Sequence, residues 1–298
     1  MRFSFVSLLL AALFSSLAIA HEYKVGDRVM VIADAKLAAA GRGETDEVFL
    51  GLFLDVNAVN NKWLWVGQGK PGWLDKKNVI PAADAFDYLT KRYSREKSNK
   101  QVMLALAFLW EERQELDIAI SLYNDLIKLD PRNAIYFNNR GICWKDKDEY
   151  DKAIADFNQA IKLDPENTFA ALNRGTAWYG KGEYDKAIAD YNEAIKIDPK
   201  DAAAYNNLAW LQATCPNPIY LDGQQAIINA KKALELTAQK DANCVGTLAA
   251  AYAEAGDFAA AVKWQTKAQD MYSSDDKSKW GFLLDLYKSG KPYRKTLD

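Results

Sequence analysis

The sequence predicts an α+β multidomain chain, a small all-β barrel followed by an all-α superhelical solenoid made of copies of one helical hairpin. Three observations carry this. Residues 148–167 read DEYDKAIADFNQAIKLDPEN and residues 182–201 read GEYDKAIADYNEAIKIDPKD, with fourteen of twenty positions unchanged at a step of thirty-four. Within each copy the apolar residues recur at three and four, as on one face of a helix. Between residues 23 and 81 they instead alternate or run in short β-prone stretches broken by Gly, Asn and Asp. A period of this length marks stacked supersecondary units, because one hairpin cannot bury its own apolar stripe.

The first twenty residues, MRFSFVSLLLAALFSSLAIA, have one cation (Arg2), an apolar run from Phe5 to Leu17, and small residues at Ala18 and Ala20. A signal peptidase reads this arrangement, so cleavage before His21 is expected. The alternative, a retained anchor, is disfavoured because the run is shorter than the roughly 20 residues that span hydrocarbon. The expectation is an exported chain, periplasmic or secreted, with no stable membrane insertion after cleavage. Its 38 basic and 40 acidic residues nearly cancel and form no long run of one sign, which argues against nucleic acid as a partner. Three cysteines cannot all pair within one chain. Cys215 and Cys244 stand about eleven positions out of phase on neighbouring repeats, about 16 Å at about 1.5 Å per residue, too far for a disulfide. Three thiols are therefore predicted. Their spacing fits no zinc pattern, and His21 is the only histidine.

Residues 21–82 read as the barrel, with strands in 25-VGDRVMVI, 48-VFLGLFLDV and 62-KWLWV. The ending, 63-WLWVGQGKPGWLDKKNVIP, resembles the bacterial SH3-like family, in which a Trp-bearing strand, a Gly-Trp turn and a final Val-Ile close a five-stranded barrel. Trp63 and Trp65 fall on one face of their strand, Leu64 and Val66 on the other. Two readings follow. One face is core while the other packs on a loop or the first helices, or else Trp63, Trp65 and Trp73 form an exposed strip for an extended peptide or a sugar. Relatives of this barrel bind proline-rich or cell-wall peptides, so the resemblance implies a wall peptide as a possible partner.

From residue 83 the period governs. Residues 83–99, with 84-DAFDYLTKRY, read as an amino-terminal capping helix, followed by repeats at 100–133, 134–167, 168–201, 202–241 and 242–275. The fourth carries the insertion CPNPIYLDG, and residues 276–298 supply a carboxyl-terminal capping helix and tail with Trp280, Leu283 and Leu286 inward. Markers keep the thirty-four step: Pro131, Pro165 and Pro199; Ala119, Ala153 and Ala187; Tyr123, Phe157 and Tyr191; Trp110, Trp144 and Trp178. With Phe137, Arg140-Gly141, Trp144, Ala153, Phe157 and Pro165 in the second repeat, the pattern resembles the tetratricopeptide repeat family. Arg140 and Arg174 depart from it, standing where the family prefers Leu. Tyr150, Ala153, Ile154, Phe157, Ala160 and Ile161 share one helical stripe, while Lys152, Asp156, Asn158 and Lys162 are expected to face away. Gly141, opposite Ala153 and Ala160, is expected to let two backbones approach closely.

The family's first helices line a concave groove, with positions 2, 5, 9 and 12 of each repeat toward the ligand. Carried onto this sequence, the resemblance implies Phe108; Asn138, Ile142 and Lys145; Phe169, Leu172 and Tyr179; and Asn206 and Trp210 as partner-binding residues. This aromatic and amide-rich lining suits an extended peptide, although several of these residues would equally serve to pack one repeat on the next. Leu104, Phe108 and Ala203 stand where a carboxylate clamp would need polar groups, so that mode is rejected. No nucleophile and base pair stands out, and the glycines of 41-GRGETD lack the lysine and helix of a phosphate loop. No catalytic residue, metal or cofactor is expected. The function expected is a non-catalytic exported scaffold that binds a protein or peptide partner. The alternative is a cell-envelope protein that holds wall peptide or glycan through the barrel, with the repeats as a spacer.

Overall fold

The structure is a computed structural model that describes the strand segments 28–31, 35–38, 45–48, 53–59, 63–66 and 72–75, and residues 79–272, 277 and 280–295. In the segments between 35 and 75 it is the backbone that is described, and the expected signal and its cleavage site lie outside the described residues. The chain divides into two compact units, 1–131 and 132–298, so the first helical hairpin belongs with the strands.

In the first unit, β1 (Arg28–Val31), β2 (Ala35–Ala38), β3 (Thr45–Val48), β4 (Phe53–Val59), β5 (Trp63–Val66), β6 (Gly72–Asp75) and β7 (Val79–Pro81) make an antiparallel sheet in the order β3-β2-β6-β5-β4-β1-β7. Strand β4 is shared. Its first half pairs with β1 through residues 53–55, its second half with β5 through 56–59, and the register shifts between Val56 and Ala58. Val29, Met30, Val31, Val79 and Ile80 are buried, so the paired β1 and β7 belong to the core. Proline is tolerated at the last position of an edge strand, and Pro81 occupies it. The chain then enters α1 (Ala85–Arg95), α2 (Lys100–Glu112) and α3 (Leu116–Leu129), which close over Leu89, Met103, Tyr123 and Leu126.

The second unit is helical: α4 (Ala134–Asp146), α5 (Tyr150–Leu163), α6 (Thr168–Gly180), α7 (Tyr184–Ile197), α8 (Ala202–Thr214), α9 (Gly223–Leu236), α10 (Ala242–Glu254), α11 (Phe258–Met271) and α12 (Phe282–Lys288). Each first helix of a hairpin opens on a short polar cap, whose oxygen accepts amide protons the helix itself leaves without partners. Asn99, Asn133, Asn167, Asp201 and Asp241 do this for α2, α4, α6, α8 and α10. The turn inside the hairpin places one residue in the left-handed region: Gln114, Asp148, Gly182 and Gly256, with φ of 60, 59, 82 and 83°. Asp-Pro ends three of the second helices, because proline disfavours helical backbone before it and donates no amide proton.

Glycine sets how closely the two helices of a hairpin approach. A Cβ on Gly141 would stand 2.6 Å from the Phe157 ring, and one on Gly175 would stand 2.7 Å from Tyr191, and both rings are buried. Next to each glycine sits an arginine. Arg140 donates from Nε and Nη2 to Asp156 at 2.7 and 2.6 Å, and Arg174 does the same to Asp190 at 2.9 and 2.6 Å. Arg174 Nη1 also donates to Asn158 of the preceding hairpin at 2.7 Å. The expectation that Asp156 faces away is therefore corrected: it is 6% exposed, held inward by the arginine that replaces the family's leucine. Lys152 is corrected in part, since its ammonium lies 4.5 Å from the Trp144 ring, as Lys186 lies 4.4 Å from Trp178.

Removing one member of a bidentate pair this little exposed leaves a charge without its counter-ion. Asp156→Ala is expected to lower the unfolding free energy by roughly 3 kcal/mol, with Arg140→Leu plus Asp156→Ala recovering most of it, read from denaturant unfolding. Burial, then the charge of Asp241, pushes the Cys244 thiol from its ordinary 9.0 up to about 11, and burial raises Cys215 as well. All three cysteines are buried. At pH 8 the native chain should leave them unreactive to a disulfide reagent, and all three should react in denaturant. Because the folded pKa of Cys244 is the higher one, its contribution to stability is intact below about pH 9 and is lost as the pH rises through about 11.

Candidate functional site

Three first helices of the second unit turn one face each into a common hollow of about 660 Å³. Thr176 and Tyr179 come from α6, Asn206 and Trp210 from α8, and Asn243 and Thr247 from α10. Their spacings of three or four put each pair one turn apart on the same side of its helix. Gly246 of α10 stands at the position that Asn206 holds in α8, and a side chain there would run into the Tyr272 hydroxyl. The remaining wall is Tyr191 of α7, Tyr272 after α11, and Trp280, Phe282 and Leu283 of the carboxyl-terminal cap, with Tyr293 and Lys295 beyond it.

The lining combines amides and rings. Asn206 Oδ1 is buried without a hydrogen-bond partner among the described residues. A buried acceptor in that state costs free energy until a donor reaches it. Asn207 also reaches the hollow. Trp210 meets Trp280 edge to face, with centroids 5.5 Å apart, and lies 5.9 Å from Tyr293. Phe282 meets Tyr293 at 5.7 Å. Among the described residues no group of three or more His, Cys, Asp or Glu side chains is placed to hold a metal ion. No helix among them is long and apolar enough to cross a membrane.

Of the residues singled out by the sequence, Tyr179, Asn206 and Trp210 meet at this hollow. Tyr179 does so largely from within the core, beside Tyr184 and Tyr191. Leu172 is buried in the same cluster. Asn138 is tied into the array: it accepts from Asn173 at 3.1 Å and donates to Asn139 at 3.1 Å. Ile142 packs against the cluster of Ala153, Ile154 and Phe157, and Lys145 pairs with Asp146 at 3.0 Å. Phe169 projects from the start of α6 at 69% exposure. Phe108 is exposed on α2 in the other unit. The backbone register pairs Trp65 with Trp73 across β5 and β6, with Trp63 two positions along, and the side chains of the three lie outside the described residues. Sequence reasoning missed Asn243, Thr247, Tyr272 and the carboxyl-terminal residues. The repeat phase at 242–275 held the signal for Asn243, at position 2, whereas Thr247 falls at position 6, outside the expected set.

A "Tetratricopeptide repeat" family model matches residues 134–167, and a "TPR repeat" model matches 175–213. No curated protein matches the chain. Among solved structures, a thermophilic TPR protein of Thermus thermophilus is 17% identical, covering 64% of this chain and 98% of its own at a TM-score of 0.52. PilW, described as a widely conserved type IV pilus biogenesis factor, is 18% identical over 66% of this chain and 90% of its own, with a TM-score of 0.56. A chain of the APC/C hetero-tetramer is 17% identical, covering 69% of this chain and 39% of its own at a TM-score of 0.59. At such identities the likeness is one of fold. Residues 134–167 and 175–213 are thus tetratricopeptide repeats, and Thr176, Tyr179, Asn206 and Trp210 of the hollow lie within the second stretch.

Proposed function

We propose that this chain is a non-catalytic interaction protein that holds an extended peptide segment of a protein partner in the hollow between α6, α8 and α10. Tetratricopeptide repeats are generally protein-interaction scaffolds. The observation that carries the reading is the lining, where a buried acceptor on Asn206 stands among Asn207, Asn243 and Thr247 beside the rings of Trp210 and Tyr179. An extended peptide offers one amide donor and one carbonyl acceptor per residue, which side-chain amides and hydroxyls match. Aromatic walls take up its side chains. The amino-terminal sequence supports export to the periplasm or beyond. The sheet of residues 28–81 is taken as an SH3-like barrel, supported by the sharing of β4 between β1 and β5.

A second reading has its own support. The direct pairing of Trp65 with Trp73, and Trp63 two residues along, puts three tryptophan positions on one face of the sheet. That face would suit wall peptide or glycan. Retention of the full chain on isolated wall material, lost on Trp65→Ala, supports it, and retention that ignores Trp65→Ala counts against it.

For the main reading, peptides selected from a random display library on the full chain supply the probe. Asn206→Ala and Trp210→Ala are each expected to weaken their binding about tenfold, a loss of about 1.4 kcal/mol, with helicity unchanged by circular dichroism. Selected peptides that bind both variants as tightly as the unaltered chain would sink it.

A further inference from the structure

The chain's own end reaches the hollow. Helix α12 stops at Lys288, Gly290 takes a φ of +71°, and Pro292 cannot continue a helix, so residues 291–295 leave as a strip outside any helix or strand. Four contacts then fasten the strip to helices far away in sequence. The Lys295 amide donates to the Thr214 carbonyl at 2.9 Å, one of the carbonyls that the end of α8 leaves without a helical partner. Its ammonium sits 4.7 Å above the Tyr179 ring. Arg294 Nη1 approaches Glu254 Oε2 at 2.6 Å as an ion pair, and the Tyr293 ring lies 5.9 Å from that of Trp210, with Phe282 of the adjoining α12 at 5.7 Å.

Glu254 makes this more than a chance contact. Its side chain is only 12% exposed, and it stands in the last turn of α10, where the helix dipole already disfavours negative charge. A carboxylate in that place needs a cation, and Arg294 brings one. Whatever displaces the strip must bring another.

We propose that residues 291–295 of the same chain close one side of the hollow at rest, and that they are the template for its ligand: a segment with an aromatic residue followed by two cations. The inference rests on the reading of the hollow as a peptide site, and it adds both the ligand class and the internal competitor. A partner segment binds by expelling the strip. It seats its aromatic ring against Trp210, its first cation on Glu254 and its second over Tyr179.

The test uses the full chain and a fluorescein-labelled octapeptide of sequence KPYRKTLD, the chain's own residues 291–298. The double variant Tyr293→Ala with Arg294→Ala frees the side of the hollow that the strip covers and is expected to bind the probe at least tenfold more tightly than the unaltered chain. Glu254→Gln added to that variant should take most of the gain away. Equal binding, or none, to the unaltered chain and the double variant overturns the proposal. Hydrogen exchange on the unaltered chain is independent of how the variants fold. The Lys295 amide should exchange at least tenfold more slowly than in the free octapeptide, and exchange at the free rate overturns the proposal. Protection that appears only with dimer formation overturns it in favour of strips exchanged between two copies. The two readings fail separately. Selected peptides indifferent to Asn206→Ala and Trp210→Ala sink the partner site but leave the strip protected, whereas a freely exchanging strip leaves their binding untouched.

Discussion

The close approach of two helices over a glycine is the constraint on which the repeat array depends. With no side chain at Gly141 or Gly175, the buried rings of Phe157 and Tyr191 take the space that a Cβ would fill. The bidentate arginine beside each glycine fixes the same approach by polar means, pinning the first helix to the second through Asp156 or Asp190. A hairpin closed in this way has its second helix turned toward its partner. The free face of the first helix is left for neighbouring repeats, and that is where the hollow forms.

Much of the fold was written in the period. The repeating caps, the Asp-Pro stops and the aromatic positions all depend on contacts a few residues apart, and such contacts leave a direct trace in sequence. Asp156 was misread because an acid on an amphipathic stripe normally faces water. Its partner is sixteen positions back, and only the recurrence of the same spacing between Arg174 and Asp190 hinted that the two belonged together. The split of the chain at residue 131 was not legible either, since the period runs on through it.

The site was legible in part. Tyr179, Asn206 and Trp210 meet because positions 5, 9 and 12 of each repeat lie on one face of its first helix, and such a face is what sequence conveys best. Asn138, Leu172 and Ile142 share it too, yet they serve neighbouring helices, because the same positions face both the partner and the next repeat. Residues 293–295 carried no signal at all. Their placement depends on Glu254 and Thr214, from two helices with the insertion and α9 between them, and no periodicity reports a contact of that kind.

The insertion in the fourth repeat alters how the array can come apart. Its Tyr220 hydroxyl donates to Asp185 at 2.9 Å, its ring lies 5.3 Å from that of Tyr184, and the Asp222 amide returns to the Gln212 carbonyl. Arrays of stacked units ordinarily fray one interface at a time. A strap laid across the joint between α7 and α8 couples the two hairpins it spans. Residues 168–236 should then open as a single cooperative block, protecting the joint beneath from stepwise peeling.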